Sequence, residues 1–471
     1  MISVCRYAAG RIEHLRSQNR LTPRSRFAKW KPVTVSEMEG FLAVVINMGL
    51  IQLPEIESYW STNWITTVPF FSRLFSRERF EQIFWLLHVS HGDPDSPERR
   101  IDKVKMLLDL LVGNFKKRFA PGRNLSVDET MVGFRGRFGP KQYMPDKPTK
   151  YGIKAFTLAE SEHGYVLDIL VYTGSDTLAS ANPDYSTLPQ PARVVLHLLG
   201  DYSEKGHRVF TDRYYTSIPL ALTLKEHSTG FTGTSMKNRV GLPDEIRDKN
   251  FRLRDDEVKA YRADDLLVVG WRAAKKKKPV IMVSTECSAA SIDVQSRATK
   301  QLSSKPLVVH EYNFSMNGVD KADQYTVYYS FIRRSKKWWR KLFFWLLEVA
   351  VVNSYILYRI CTPRPALTHL QYRRNLVEVL ATQHIRNAPP RPLVGRPRAR
   401  PLFPTGSDPE RLNKQPHFLG KRNPQDCVVC SDRPAGRRHR SNFYCKTCTS
   451  HPTMCPDDCF ERYHTLVRFR S

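Results

Sequence analysis

The sequence lacks an uninterrupted apolar run long enough to cross a membrane. Its most apolar stretch, Leu342–Leu357, is broken by Glu348 and Asn353 and falls short of the roughly 18 apolar residues that a span requires. The N-terminal stretch MISVCRYAAGRIEHLR has no apolar segment of the kind that directs secretion, so export is not expected. Internal repeats are absent as well. Acidic residues are few: 46 Asp and Glu stand against 74 Lys and Arg, a formal charge of +28 over 471 residues. A charge of that size points to a polyanionic partner, nucleic acid before an anionic membrane surface. Cysteine is sparse through most of the chain, with Cys5, Cys287 and Cys361 scattered and the other six between Cys427 and Cys459. Clustered thiols without an export signal favour a metal over disulfides. The composition, 41% hydrophobic and 25% charged, excludes wholesale disorder, and the length suits about three domains.

The texture changes along the chain. Residues 1–32 read as a basic arm, with a helix bearing a solvated basic face as the alternative. Residues 33–123 carry helical stripes: Met38, Phe41, Leu42, Val45 and Ile46 behind a capping Ser36, then Phe80, Ile83, Phe84 and Leu87, then Val104, Leu107, Leu108, Leu111 and Phe115. Over 124–235, short β-prone runs alternate with helical ones, the pattern of an α/β domain. Residues 236–310 read as a β-rich insertion with strands at Leu266–Trp271, Val280–Ser284 and Leu307–Glu311. A helix is expected from about Gly318 to about Ile360, with core sequence over 311–362 and a helical extension over 363–385. Residues 386–424 read as a Pro- and Arg-rich basic linker, and 425–471 as a cysteine-rich metal-binding domain.

Two aspartates follow apolar strands. Asp128 comes after Leu125-Ser126-Val127 and Asp212 after Val209-Phe210-Thr211, so both are expected at strand ends on the rim of an α/β sheet, where ligands bind. Asp320 and Asp323 are three residues apart near a helix start and share one face. Convergent carboxylates suit Mg²⁺, and two such ions can cleave phosphodiesters. The structural alternative is that these residues are turn formers or helix caps.

Three blocks carry a resemblance. SVDETMVGFRGRFGPKQYMPDKPTKYGIKAF (Ser126–Phe156), FTDRYYTSIPLA (Phe210–Ala221) and NGVDKADQYTVYYSFIRRSKKWWRKLFFWLLEVAVVNSYILYR (Asn317–Arg359) resemble, in order and separation, the signature blocks of piggyBac-type DNA transposases. The likeness covers about residues 33–471. It implies an α/β, RNase H-like catalytic core with flanking helical dimerisation and DNA-binding segments, a β-rich insertion and a C-terminal cross-brace zinc module. Asp128, Asp212 and Asp320 match the three essential aspartates, and Asp323 is the neighbouring carboxylate of the third motif. The implied activity is Mg²⁺-dependent cleavage of double-stranded DNA at element ends through a hairpin, with joining to TTAA targets, by a nuclear homodimer not bound to membrane. The alternative is a domesticated DNA-binding protein that no longer cuts. Arg213 stands where the family usually has Asn, so it could pair with Asp212 or hold a phosphate.

Basic residues cluster near these motifs. Arg135, Arg137, Lys141, Lys147 and Lys150 follow the first aspartate, and Arg333, Arg334, Lys336 and Lys337 precede Trp338 and Trp339. They are expected to contact DNA, and the tryptophans either stack on unpaired bases or pack in the core. At the C-terminus, Cys427-x₂-Cys430, Cys445-x₂-Cys448, His451, Cys455, Cys459 and His464 make eight donors, enough for two tetrahedral Zn²⁺. A cross-brace assigns Cys427, Cys430, His451 and Cys455 to one ion and Cys445, Cys448, Cys459 and His464 to the other, with His439 as a rival to His451.

Overall fold

The computed structural model describes all residues except 1, 24, 91–100, 146, 179–181, 275, 296–301, 364, 388–410, 413–414, 433–435, 467–468 and 470–471. It divides into two compact units, Met1–Ala388 and Pro389–Ser471.

The first unit begins with helices: α1 (Ile2–Ser17), α2 (Val35–Leu50), α3 (Pro69–Leu74), α4 (Arg77–Leu86) and α5 (Asp102–Arg118). The expected basic arm is thus largely a helix. Ala8 and Ile12 of α1 are buried with Leu86, while Arg6, Arg11 and Arg16 stay exposed. The cap of α2 is Thr34 rather than Ser36. Its hydroxyl accepts from the Glu37 N–H at 3.1 Å and the Glu37 carboxylate accepts from the Thr34 N–H at 3.2 Å, a reciprocal capping box.

The sheet follows. β1 (Asn124–Gly133), β2 (Gln142–Tyr143), β3 (Tyr151–Glu160) and β4 (Val166–Val171) lead through α6 (Gln190–Leu199) to β5 (Arg208–Thr211), α7 (Ile218–Glu226) and β6 (Gly230–Ser235). After α8 (Asp244–Arg247) come β7 (Val258–Ala263), β8 (Leu266–Trp271) and β9 (Val280–Ser284). Strand order is β2-β3-β1-β5-β6-β9-β8-β7, with β4 also on β3. The β1–β3 pair is antiparallel, whereas β1–β5 and β5–β6 are parallel. The β-rich stretch therefore extends the main sheet through the β6–β9 pair. β10 (Ser291–Gln295) and β11 (Leu302–Pro306) form a separate hairpin.

Leu307–Glu311 is helical, not a strand: α9 runs Leu307–Ser315. Pro306 sits at its cap, and Val308 and Val309 are buried against the Leu267 and Trp271 cluster, so burial of one face overrides β-propensity. The long helix expected from Gly318 is also two helices, α10 (Gly318–Tyr328) and α11 (Trp338–Cys361). Between them the Ser330 and Ser335 hydroxyls accept from the N–H groups of Ile332 and Lys337, local bonds that compete with helix. α12 (His369–Asn387) ends the unit.

α11 is the one described helix long and apolar enough to span a membrane, but it is a core helix with Leu342, Leu346, Val349 and Val352 buried. The two polar residues that interrupt its sequence are used inside. Asn353 makes two hydrogen bonds to the backbone of Val166 at the start of β4, at 2.9 and 2.8 Å. Glu348 is fully buried and paired with the equally buried Arg373 of α12, which also donates to the Tyr329 carbonyl at 3.2 Å. A buried ion pair adds little net stability but specifies one arrangement. Here that arrangement holds the end of α10 against α12.

The second unit contains β12 (Leu419–Asp426), β13 (Arg440–Cys445) and α13 (Asp458–Thr465), the strands pairing antiparallel. Most of the expected linker lies outside the described residues. Its described end belongs to this unit: Arg411 is buried, donating to the carbonyls of Tyr463 and Leu466.

Candidate active site and metal centres

β1 does not end at Asp128 but continues to Gly133. What ends there is the parallel partner. Val127 pairs with Thr211, the last residue of β5, so Asp128 and Asp212 are the next positions on two adjacent strands. Neighbouring strands lie about 4.8 Å apart, so these two carboxylates start from adjacent backbone positions.

The other pair arrives on α10. Its first residue, Gly318, is tight against β1: a Cβ there would lie 2.3 Å from Ser126 Oγ and 2.8 Å from the Glu160 carbonyl. Glycine permits this approach. Asp320 in the first turn and Asp323 one turn later then reach the β1 side of the sheet, and the Thr130 hydroxyl of β1 donates to Asp323 Oδ1 at 2.9 Å. Lys147 lies among these groups, its ammonium donating to the Glu129 carbonyl at 3.1 Å.

The electrostatics are consistent with these placements. Burial pushes the Asp128 carboxyl up to about 7 against the opposing pull of Lys147, and the charges of Glu129 and Asp212 add to the rise. Burial also lifts Asp323 to about 7, although the Thr130 hydroxyl and Lys147 favour its charged form. Asp212 is raised by burial in spite of hydrogen bonds from the Tyr214 and Tyr215 N–H groups. Burial works against charge on Lys147, yet Asp128, Glu129, Asp320 and Asp323 together hold its pKa above the ordinary lysine value. Tyr312 of α9 is pushed up to about 12 by burial, with Asp212, Asp128 and Asp320 all contributing. The sequence-distant aspartates therefore act on common neighbours. They are not drawn into one knot with every donor within 4.8 Å, as the cysteine clusters below are.

The donor chemistry fits hard divalent cations: carboxylate oxygens, no sulfur or imidazole, and mutual repulsion that a cation would relieve. Glu129 is held apart, accepting from the Tyr215 hydroxyl at 3.0 Å and facing Lys154 at 3.9 Å. Arg213 makes no ion pair with Asp212 among the described residues. Its side chain is exposed, and its carbonyl accepts from Arg239 at 3.1 Å.

The basic residues divide into two groups. Arg135, Arg137, Lys150, Arg334 and Lys336 line one cavity of about 1190 Å³ with no carboxylate in its wall. Lys341, the last residue of the basic stretch around the two tryptophans, lines it too. Arg333 is not in that cavity: it donates to the Leu53 carbonyl at 2.7 Å and to the Tyr59 hydroxyl, and lies over the Tyr59 ring. It is a structural cation joining two segments of the unit. Lys141 donates to the Gly136 carbonyl at 3.3 Å, and Lys337 precedes α11 outside the cavity wall. Trp339 is buried beside His88, and Trp338 stacks obliquely on Phe138 at 4.7 Å, so both serve packing.

The second unit holds two groups of potential ligands, each with all donor atoms within 4.8 Å of one another: His417, Cys445, Cys448 and His464, and Cys427, Cys430, Cys455 and Cys459. This corrects the ligand assignment. His451 belongs to neither group. It has positive φ (44°) and its Nδ1 lies 3.2 Å from the Cys445 carbonyl, a turn residue facing its own loop. His439 also lies outside both groups, and Cys459 joins the first cysteine pair. The eighth donor, His417, precedes the cysteines in the stretch read as linker. It was missed because the count began at Cys427.

The spacing is that of tetrahedra. Metal–sulfur bonds of about 2.3 Å and metal–nitrogen bonds of about 2.0 Å give S···S edges of about 3.8 Å and S···N edges of about 3.5 Å. Cys430 and Cys455 sulfurs are 3.8 Å apart, and His417 Nδ1 lies 3.5 and 3.6 Å from the Cys445 and Cys448 sulfurs. His464 Nε2 is 3.5 Å from the Cys448 sulfur while its Nδ1 meets the Phe460 carbonyl at 2.8 Å, which fixes the tautomer for metal binding through Nε2. Burial opposes the Cys427 thiolate, but N–H groups of Cys430, Val429 and Cys455 bring its pKa down to about 7. All described cysteines are free of disulfides.

A family model described as Transposase IS4 matches residues 7–355, and the chain belongs to that family. Its relatives are of the piggyBac type. Human PiggyBac transposable element-derived protein 3 is 26% identical over 447 residues, covering 92% of this chain and 70% of the relative. Human PiggyBac transposable element-derived protein 2 is 24% identical over 357 residues, covering 73% of this chain and 58% of that protein. Among solved structures, a piggyBac transposase synaptic complex with hairpin DNA aligns with a TM-score of 0.70 over 96% of this chain and 92% of that chain, at 21% identity, a likeness of fold.

Two outcomes follow from this geometry. Loaded with Zn²⁺, the chain is expected to hold two ions, one per group. His417→Ala should lower the content to about one by atomic absorption, while His451→Ala leaves it unchanged. The second concerns pH. The folded-state pKa of Asp128, about 7, exceeds its unfolded value of 3.8, so the native state binds more protons between them and stability falls as pH rises through that window. In EDTA at pH 8, Asp128→Asn should therefore raise the melting temperature of the first unit by roughly 2–4 °C. At pH 4 the gain should vanish in the same thermal scan.

Proposed function

We propose that this chain is a piggyBac-like DNA transposase, a cut-and-paste enzyme that cleaves and joins double-stranded DNA at element ends and TTAA targets. The observation that supports this reading most is the register that makes Asp128 and Asp212 neighbours, with Asp323 hydrogen-bonded to Thr130 of the same strand and Lys147 acted on by Asp128, Asp320 and Asp323. The order β4-β3-β1-β5-β6, three antiparallel strands followed by two parallel ones, supports an RNase H-like core. The relatives' names and the solved complex with hairpin DNA agree with a DNA substrate.

Asp128, Asp212 and Asp320 would hold two Mg²⁺, with Asp323 as the adjoining carboxylate. Bound there, such ions activate an attacking hydroxyl and neutralise the leaving oxygen of a phosphodiester. The chain's own residues do the rest. Arg135, Arg137, Lys150, Arg334, Lys336 and Lys341 neutralise backbone phosphates and set the strand's register without reading bases. Thr130 holds Asp323 in one orientation, and Lys147 keeps a positive charge at the cluster where phosphate charge accumulates. In the second unit, the two cysteine–histidine groups would bind structural Zn²⁺ and supply the folding energy of a small module that contacts DNA ends. We place the protein in the nucleus as a homodimer, as the piggyBac resemblance implies.

The deciding experiment uses a TTAA-flanked element end in Mg²⁺. Asp128→Asn should reduce nicking by roughly 10³-fold or more while leaving DNA affinity nearly unchanged. Wild-type binding without any cleavage would instead make the chain a DNA-binding derivative that no longer cuts. Salt dependence separates the two cation groups. Log affinity should fall against log salt with a slope near −0.9 for each neutralised phosphate, and Lys341→Ala should remove about one such increment. Arg333→Ala should leave that slope unchanged and lower thermal stability.

A further inference from the structure

One cation of the first unit is spent wholly inside it. Arg373 of α12 is fully buried, and each nitrogen of its guanidinium has a partner on a different segment or turn. Nη2 pairs with Glu348 of α11, Nε donates to His369 Nε2 at 2.8 Å, and Nη1 donates to the Tyr329 carbonyl at 3.2 Å. The guanidinium also lies over the Tyr329 ring, 5.6 Å from its centre. His369 is boxed in turn: Tyr355 stacks on it at 4.6 Å, and Tyr325 and Tyr329 meet it edge-on at 5.5 and 5.1 Å. Tyr325 lies on α10, and Tyr329 is the first residue beyond that helix. A second helix reaches the same carbonyl. A Cβ on Gly49 of α2 would lie 2.1 Å from the Tyr329 oxygen, so α2 meets this turn with bare backbone.

Resting on the metal-dependent cleavage reading, we propose that Arg373 is a positioning residue for the α10 carboxylates: it fixes the carbonyl that ends α10, and through that helix the places of Asp320 and Asp323. The physical case is leverage. At Gly318 the helix is seated against β1, so loss of the hold at the far end leaves a rod that can tilt about that contact. Asp323 is five residues along, about 7.5 Å at about 1.5 Å per residue, and a tilt of about 8° would carry it about 1 Å. Mg²⁺ takes its oxygens at about 2.0–2.1 Å in near-octahedral geometry and tolerates little such error. A buried ion pair adds little net stability; what this one adds is direction. The planar fork of an arginine reaches three partners at once, and a lysine ammonium does not reproduce those directions.

The test measures Mn²⁺ binding to the full-length, Zn²⁺-loaded chain without DNA, by electron paramagnetic resonance, below the melting temperature of every variant. The wild-type chain should bind Mn²⁺ and Asp128→Asn should lose most of it, which assigns the ion to the carboxylates. Arg373→Met should weaken Mn²⁺ binding by roughly tenfold, and Arg373→Lys should not restore it. Glu348→Gln keeps an acceptor for the guanidinium, so it should lower Tm yet retain most of the affinity. Gly49→Ala leaves Arg373 in place but drives a methyl into the same carbonyl, and it should weaken Mn²⁺ binding too. Ile246→Ala, a truncation of a fully buried side chain in α8, controls for lost stability: Tm falls and Mn²⁺ affinity stays. In cleavage, Arg373→Met should lower kcat with KM for DNA nearly unchanged, and raised Mg²⁺ should recover part of the rate. If Arg373→Met and Gly49→Ala lower Tm but bind Mn²⁺ as the wild type does, the positioning role is overturned and the enzyme reading stands. If the wild-type chain binds no Mn²⁺ that Asp128→Asn removes, both are overturned.

Discussion

The close contact of α10 with β1 at Gly318 is the constraint on which the site depends. Two carboxylates sit side by side on adjacent strands because Val127 and Thr211 are in register. Two more come from nearly two hundred residues away, and only a residue without a Cβ lets their helix approach the Ser126 hydroxyl and the Glu160 carbonyl. The far end of the same helix is held by the Arg373 contact with the Tyr329 carbonyl. The helix is therefore held near both of its ends.

That pinning works against electrostatics. Burial raises the Asp128 and Asp323 carboxyls, and the charges of neighbouring carboxylates add to the rise. Lys147 offsets part of it, but one ammonium faces several carboxylates. The cation-lined cavity alongside has the opposite sign, with six Lys and Arg residues and no acid in its wall. Surfaces of opposite charge therefore lie close together in this unit.

The second unit shows the same economy of side chains in another chemistry. Donors from five successive stretches alternate between the two groups, so that neither ligand group is contiguous in sequence. With few buried apolar residues besides Val429, Met454 and Tyr463, the cysteine clusters occupy the centre of its core. A metal held by these donors would therefore bear directly on the unit's folding.

Much of the chemistry was legible from residues alone, for local reasons. Aspartates after short apolar runs, an i,i+3 pair on a helix and two C-x₂-C pairs stand out by spacing, and the charge balance points to a polyanionic partner. The rest needed tertiary structure because it turns on long-range geometry. Spacing cannot tell His417 from His451, since a ligand is chosen by which imidazole reaches the sulfurs and not by its order in the chain. Composition cannot tell Arg333, spent on Leu53 and Tyr59, from Arg334 and Lys341, which face the cavity. Periodicity ran α10 into α11 because the serine-to-backbone bonds that part them carry no apolar signal. The sequence by itself determined which side chains can do chemistry; the three-dimensional fold decided which of them meet, because convergence depends on backbone register and close approach that no short stretch encodes.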